Sequence, residues 1–170
     1  MDLLLVVLLQ REVSKLMEQV RPGLIGNVYV GGDANGAVGV CELHLTDGGT
    51  TTADTVTVWS SGTLSGNGFV ETTGVTNHGT LAPDQTISIN GDLSFDSTAV
   101  MSSTVTPDTA DSVTVQETAG LDGHLRATLS GGPFVVGTQY TLLIANGGLN
   151  GTTFSNVSKR PTWRERAGHL

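Results

Sequence analysis

Cysteine is almost missing from this chain. Cys41 is the only one in 170 residues, which excludes an intramolecular disulfide framework and any site built on several thiolates. It stands in VGVCELHL, where an imperfect alternation groups it with Leu43 and Leu45. A small buried core residue is expected there rather than a reactive thiol. Aromatic residues are also scarce, at 5%, and hydrophobic residues reach only 38%, below the usual share for a globular domain. The longest apolar run, Leu3 to Leu9, is far too short to span a bilayer as a helix. Basic residues are missing from the middle. Between residues 24 and 158, Arg126 is the only Lys or Arg against twelve acids, leaving −11 there within an overall charge of −8. A body with one cation has nothing to neutralise a row of phosphates, so nucleic acid is not an expected partner.

What is abundant points to strands and corners. Gly alone accounts for 23 residues, and Thr, Ser, Asn and Asp are plentiful. β-Branched residues fit a pleated surface, and small polar residues permit tight reversals. Short apolar alternations such as NVYV, TVTVW, TISIN and SVTVQ are closed by Gly or Asn-Gly. Asn-Gly occurs at 35–36, 67–68, 90–91, 146–147 and 150–151, and both residues accept positive φ cheaply. Segments also echo one another: SSGTLSGNG at 60–68, TNHGTLAP at 76–83 and INGDLSF at 89–95. The step from Gly62 to Gly79 is longer than the step from Gly79 to Gly91, so the repeat is approximate. A repeat of that looseness is tolerated by stacked turns, each of which needs to match only its neighbours. A thin core with many turns follows. The reading is all-β, a solenoid of stacked parallel strands over residues 24–158.

The ends differ from the middle. MDLLLVVLLQREVSKLMEQVR places Val6, Leu9, Val13, Leu16, Met17 and Val20 on one face, and Pro22-Gly23 stops the pattern. This predicts a short amphipathic helix or leader over 1–23. Asp2 and the lack of a small-residue cleavage site argue against a secretory signal. Residues 159–170 have no strand period and carry Lys159, Arg160, Arg164 and Arg166 against Glu165, so a disordered basic tail is expected.

Three phrases carry a family resemblance: VTVWSSGTLSGNG (56–68), NHGTLAPDQTISINGDLSFDSTAV (77–100) and VGTQYTLLIANGGLNGTTFSNVS (136–158). They resemble, in that order, the passenger region of bacterial autotransporters and its autotransporter-associated β-strand repeat. The resemblance spans residues 27–158. It implies a right-handed parallel β-helix outside the cell or on its surface, often adhesive. The partner it implies is an extracellular ligand such as a carbohydrate or a host surface. The third phrase resembles the closing segment of such passengers. It predicts a C-terminal capping hairpin in which Tyr140–Ala145 and Thr152–Val157 pair antiparallel, burying Tyr140 and Phe154 against Leu125–Leu129. A membrane barrel would need many further strands of about ten residues, so no transmembrane barrel is expected in this chain.

No motif identifies a reaction. There is no G-x-S-x-G elbow, and His44, His78, His124 and His169 are scattered singly, without catalytic or metal-ligand spacing. His78, in TNHGT, reads as an exposed turn residue. In GGDANGAVG, Asp33, Asn35 and Gly36 read as a turn, since the remaining calcium ligands are missing. Asp84, Asp92, Asp96, Asp108 and Asp111 keep a second class open, a carbohydrate-active β-helix enzyme such as a polysaccharide lyase or hydrolase. Three or more of them within reach on one face would favour it, whereas dispersed acids favour a non-enzymatic, adhesin-like or structural segment. The latter is the expectation, with no catalytic, cofactor-binding or metal-binding residue and no cofactor.

Overall fold

A computed structural model describes residues 26–161, and the expected helix at 1–23 lies outside them. Thirteen strands and no helix occur among the described residues. They are β1 (Asn27–Val30), β2 (Gly32–Asp33), β3 (Gly36–Ala37), β4 (Cys41–Thr52), β5 (Thr55–Val58), β6 (Gly62–Asn77) and β7 (Thr80–Phe95). After these come β8 (Val100–Val105), β9 (Ser112–Val115), β10 (Ala119–Gly120), β11 (His124–Leu129), β12 (Leu143–Ala145) and β13 (Asn156–Pro161). Eleven form one parallel sheet, and β2 and β3 make a small antiparallel hairpin beside it.

The registers resolve the sheet into three ladders. The first joins β1, β5, the end of β6, the end of β7 and β10. The second joins the starts of β4, β6 and β7 to β8, β11 and β13. In the third, the end of β4 pairs with the middle of β6, and β7, β9 and β12 follow. The chain visits the ladders in that same order again and again. Period-two alternation then turns one side chain of each pair inward. Val56, Val75 and Leu93 align on the first ladder, Leu64, Leu81 and Met101 on the second, and Val70, Ile89 and Val115 on the third. None is more than 2% exposed. Each such burial stabilises the fold by roughly 1.5–3 kcal/mol, which is how a chain with few aromatics holds together.

The expectation of mostly short strands needs correcting for the middle. β6 and β7 are 16 residues each and run through two corners, where the register shifts instead of the pairing ending. The echo GTL at 62–64 and 79–81 is a true step of the stack, since Thr63 pairs with Thr80 and Leu64 with Leu81. Gly79 to Gly91 is not, because Asp92, next to Gly91, pairs with Gly74 on a different ladder.

Some glycines at these corners take the expected positive φ, Gly66 and Gly148 among them, but others serve a different purpose. Asn150 and Gly151 also take positive φ, but Gly91 does not. A Cβ at Gly91 would lie 2.2 Å from the Thr72 carbonyl oxygen, and one at Gly79 would lie 2.2 Å from that of Trp59. Stacked turns bring backbones together at the corners, and only a missing side chain permits that approach.

The expected capping hairpin does not form. β12 pairs parallel with β9, and β13 pairs parallel with β11 along its whole length, from His124↔Asn156 to Leu129↔Pro161. Both strands extend existing ladders, which lets Leu143 and Ala145 continue the inward columns of Val113 and Val115. A hairpin would have abandoned those edges. Phe154 packs edge-on to Phe95, with ring centroids 5.4 Å apart. Tyr140 donates to the Pro107 carbonyl at 2.8 Å and meets the Phe134 ring edge-on. β13 also takes in Lys159, Arg160 and Pro161, the start of the expected disordered tail.

Candidate functional site

Of the five acids that could have formed a catalytic face, Asp92 and Asp96 stand at corners of their own, while Asp84, Asp108 and Asp111 share the third. Asp92 stands where the third ladder passes to the first, and its Oδ1 accepts from the Thr118 amide at 3.0 Å and the Thr118 hydroxyl at 2.7 Å. Those bonds hold its carboxyl below the usual carboxylate range. Asp111 lies between the second and third ladders and accepts from the amides of Gln85 and Thr104, both at 2.9 Å. Asp84 and Asp108 are at that same corner, on successive turns of the chain. Asp96 occupies the remaining corner. Backbone and hydroxyl donors already claim Asp92, Asp96 and Asp111, the behaviour of residues that close turns. Among the described residues no group of three or more His, Cys, Asp or Glu could hold a metal ion.

Around Asp96 the structure adds something that reading the residues singly missed. His78 donates from Nδ1 to Asp96 Oδ2 at 2.5 Å, and its ring stacks on Trp59 with centroids 5.1 Å apart. Trp59 in turn donates from Nε1 to the Asp33 carbonyl at 2.9 Å. Asp96 also accepts from the Thr98 amide and hydroxyl and from the Ala99 amide. Burial pushes its carboxyl up, but the bonds from His78, Thr98 and Ala99 together outweigh it and leave the group lowered. His78 is therefore half-buried in a stack running from one turn to the next, not a bare turn residue. Trp59, His78 and Asp96 follow one another at nearly equal steps along the chain, and that near-constant step was the available signal. Further along, Asp122 is lowered by a hydrogen bond from the Ser155 hydroxyl and by the Gly123 amide.

A second cluster brings serine, histidine and an acid together on the second ladder. His44 and Ser65 are direct partners across β4 and β6. Ser65 Oγ donates to Glu42 and lies 2.8 Å from His44 Nδ1. A hydrolytic relay needs the imidazole between acid and hydroxyl. Here the serine sits between the other two, and Glu42 is 3.8 Å from the imidazole nitrogen. The cluster ties adjacent strands. An open depression of about 190 Å³ borders His44 and is lined further on by Asp47, Asn67, Asp84 and Gln85. Burial pushes the nearby Cys41 thiol up, away from the reactive thiolate form. His124 and Arg126 point outward from β11, and His169 lies outside the described residues. The Asp33–Gly36 turn is closed by the Asn35 amide on Asp33 Oδ1 at 2.7 Å.

The outward face of the third ladder is of a different kind. Phe69, Ser88, Thr114 and Ile144 follow one another in register, and Phe69 and Ile144 are each 47% exposed. Beside them runs a row of amides and one acid. Asn90 donates to Glu71 at 2.6 Å, and Asn146 donates to Gln116 at 2.9 Å. A depression of about 310 Å³ lies between the two rows, lined by Phe69, Glu71, Ser88, Ile89, Asn90 and Gln116. The isolated sequence phrases held no hint of this row, because its members come from separate turns. No family model, curated protein or solved structure matches the chain.

Proposed function

We propose that the chain is a right-handed parallel β-helix that acts without catalysis, as an adhesin-like or structural segment on a bacterial surface or secreted from the cell. The three ladders, visited in constant order, support the solenoid reading, and the strong preference of parallel crossovers for one hand supports the handedness. The resemblance of residues 27–158 to autotransporter passengers supplies the setting. The observation that carries the non-enzymatic reading is that Asp92, Asp96 and Asp111 are each held by turn donors. Even the corner shared by Asp84, Asp108 and Asp111 thus has one of its three carboxylates already tied to the backbone amides of Gln85 and Thr104. A lyase or hydrolase site needs several such groups converging on one substrate atom. Incubating the full chain with pectin-like, chitin-like and ester substrates should give no product. Turnover that disappears in Asp92→Asn or Asp96→Asn would establish the enzyme instead.

A further inference from the structure

The third ladder's outer face has the chemistry of a binding track. Its backbone amides and carbonyls are spent on strand pairing, so recognition there falls to side chains. Those side chains are an aromatic ring, two small hydroxyls, an aliphatic end and a line formed by Glu71, Asn90, Gln116 and Asn146. Amides both donate and accept, which suits hydroxyl groups that do the same. Lys and Arg are missing from both rows, so a phosphate, sulfate or uronate ligand would meet Glu71 with nothing to offset its charge. Neighbouring strands repeat at about 4.8 Å, close to the length of one pyranose unit, and Phe69 to Ile144 spans three such steps.

We propose that this face binds a neutral glycan strand laid across the strands along the stacking direction. Phe69 stacks on the apolar face of one sugar, and Asn90, Gln116 and Asn146 hydrogen-bond the hydroxyls of successive units. The proposal rests on the reading of the chain as a displayed, non-enzymatic segment, and it names the ligand class for that reading.

The test is calorimetric titration of the full chain with β-1,4-linked hexaoses of glucose, N-acetylglucosamine, xylose and mannose, with polygalacturonate as the anionic comparison. At least one neutral hexaose should bind. Phe69→Ala should weaken it about tenfold, the scale of one lost aromatic contact, and Asn90→Ala about threefold. Val136→Asp, on a fully exposed loop elsewhere, should leave affinity unchanged. Phe69 and Asn90 are exposed, so both variants should keep the parental unfolding midpoint. Binding of none of the four, binding of polygalacturonate alone, or binding indifferent to Phe69→Ala would each overturn the track. Cleavage of a bound hexaose would sink the non-enzymatic reading while leaving a Phe69-dependent track standing. Failure to bind without cleavage would sink the track alone.

Discussion

The inner turns and the last turn are built on the same ladders, yet they end in opposite conditions. On the second ladder, Leu64, Leu81 and Met101 are at most 1% exposed, while Val157, which continues their column beyond Leu125, is 58% exposed. Further along the same strands, Ser103 and Ala127 are buried, and Lys159 follows them in the exposed strand. Pro161 lies beneath Leu129 in the same way. A strand at the edge of a sheet presents unpaired backbone groups to any strand of similar shape, and β13 is the last strand of this ladder among the described residues. A charged side chain at an inward position and a proline without an amide hydrogen both discourage such pairing. Among the described residues, the second ladder therefore closes on a strand, β13, whose residue types discourage further pairing, where a separate capping hairpin was expected.

The sharpest way to break this comparison is to truncate one apolar side chain in each of the two regions. Ile89→Ala, at a fully buried position, should cost about 2–5 kcal/mol by denaturant unfolding. Val157→Ala should stay within about 0.5 kcal/mol. Equal losses would mean that the last turn is packed as tightly as the inner ones. The corners give the next largest contrast. Gly79→Ala must displace the Trp59 carbonyl, and about 1–3 kcal/mol is expected. At Gly120 an added Cβ meets nothing within 4 Å, so Gly120→Ala should be neutral or slightly stabilising.

Acid should act through the corner carboxylates. Asp92, Asp96 and Asp122 are all lowered from the ordinary value of 3.8. The unfolded chain therefore binds more protons than the native one just below that value. Their stabilisation is fully present above it and is lost as pH falls through the lowered values. The unfolding midpoint should be flat above about pH 5 and decline below about pH 4, with a shallower decline in Asp96→Asn. A midpoint that rises on acidification would contradict the geometry. The smallest expected effect concerns β13. Lys159→Val combined with Pro161→Val should make light-scattering mass increase with concentration more steeply than in the parent. Identical curves would show that these two residues do not guard the edge.

The all-β class and the predominance of parallel pairing within residues 27–158 were legible because alternation and corner residues report local geometry. GTL at 62–64 and 79–81 even marked one correct step. The third ladder's rows were not legible. The step along the chain lengthens from Phe69–Ser88 to Ser88–Thr114, and again from Thr114 to Ile144. Turns of changing length leave no fixed period to search for. The missed stack of Trp59, His78 and Asp96 did follow nearly equal steps, but such a step means contact only once the corner is known to repeat.

By itself the sequence determined the class of structure. Sparse aromatics, alternating valines and isoleucines, and frequent glycine and asparagine leave strands and corners as the chain's stable local states. The shortage of basic residues in its body likewise fixed the net negative charge of that region, because charge is a property of composition. Tertiary structure alone decided which strand followed which ladder, why Gly79 and Gly91 must lack a side chain, and that Phe154 meets Phe95. Those outcomes depend on backbone approach and side-chain burial between turns as far apart as Phe95 and Phe154. Such contacts form only when the stack brings the turns together.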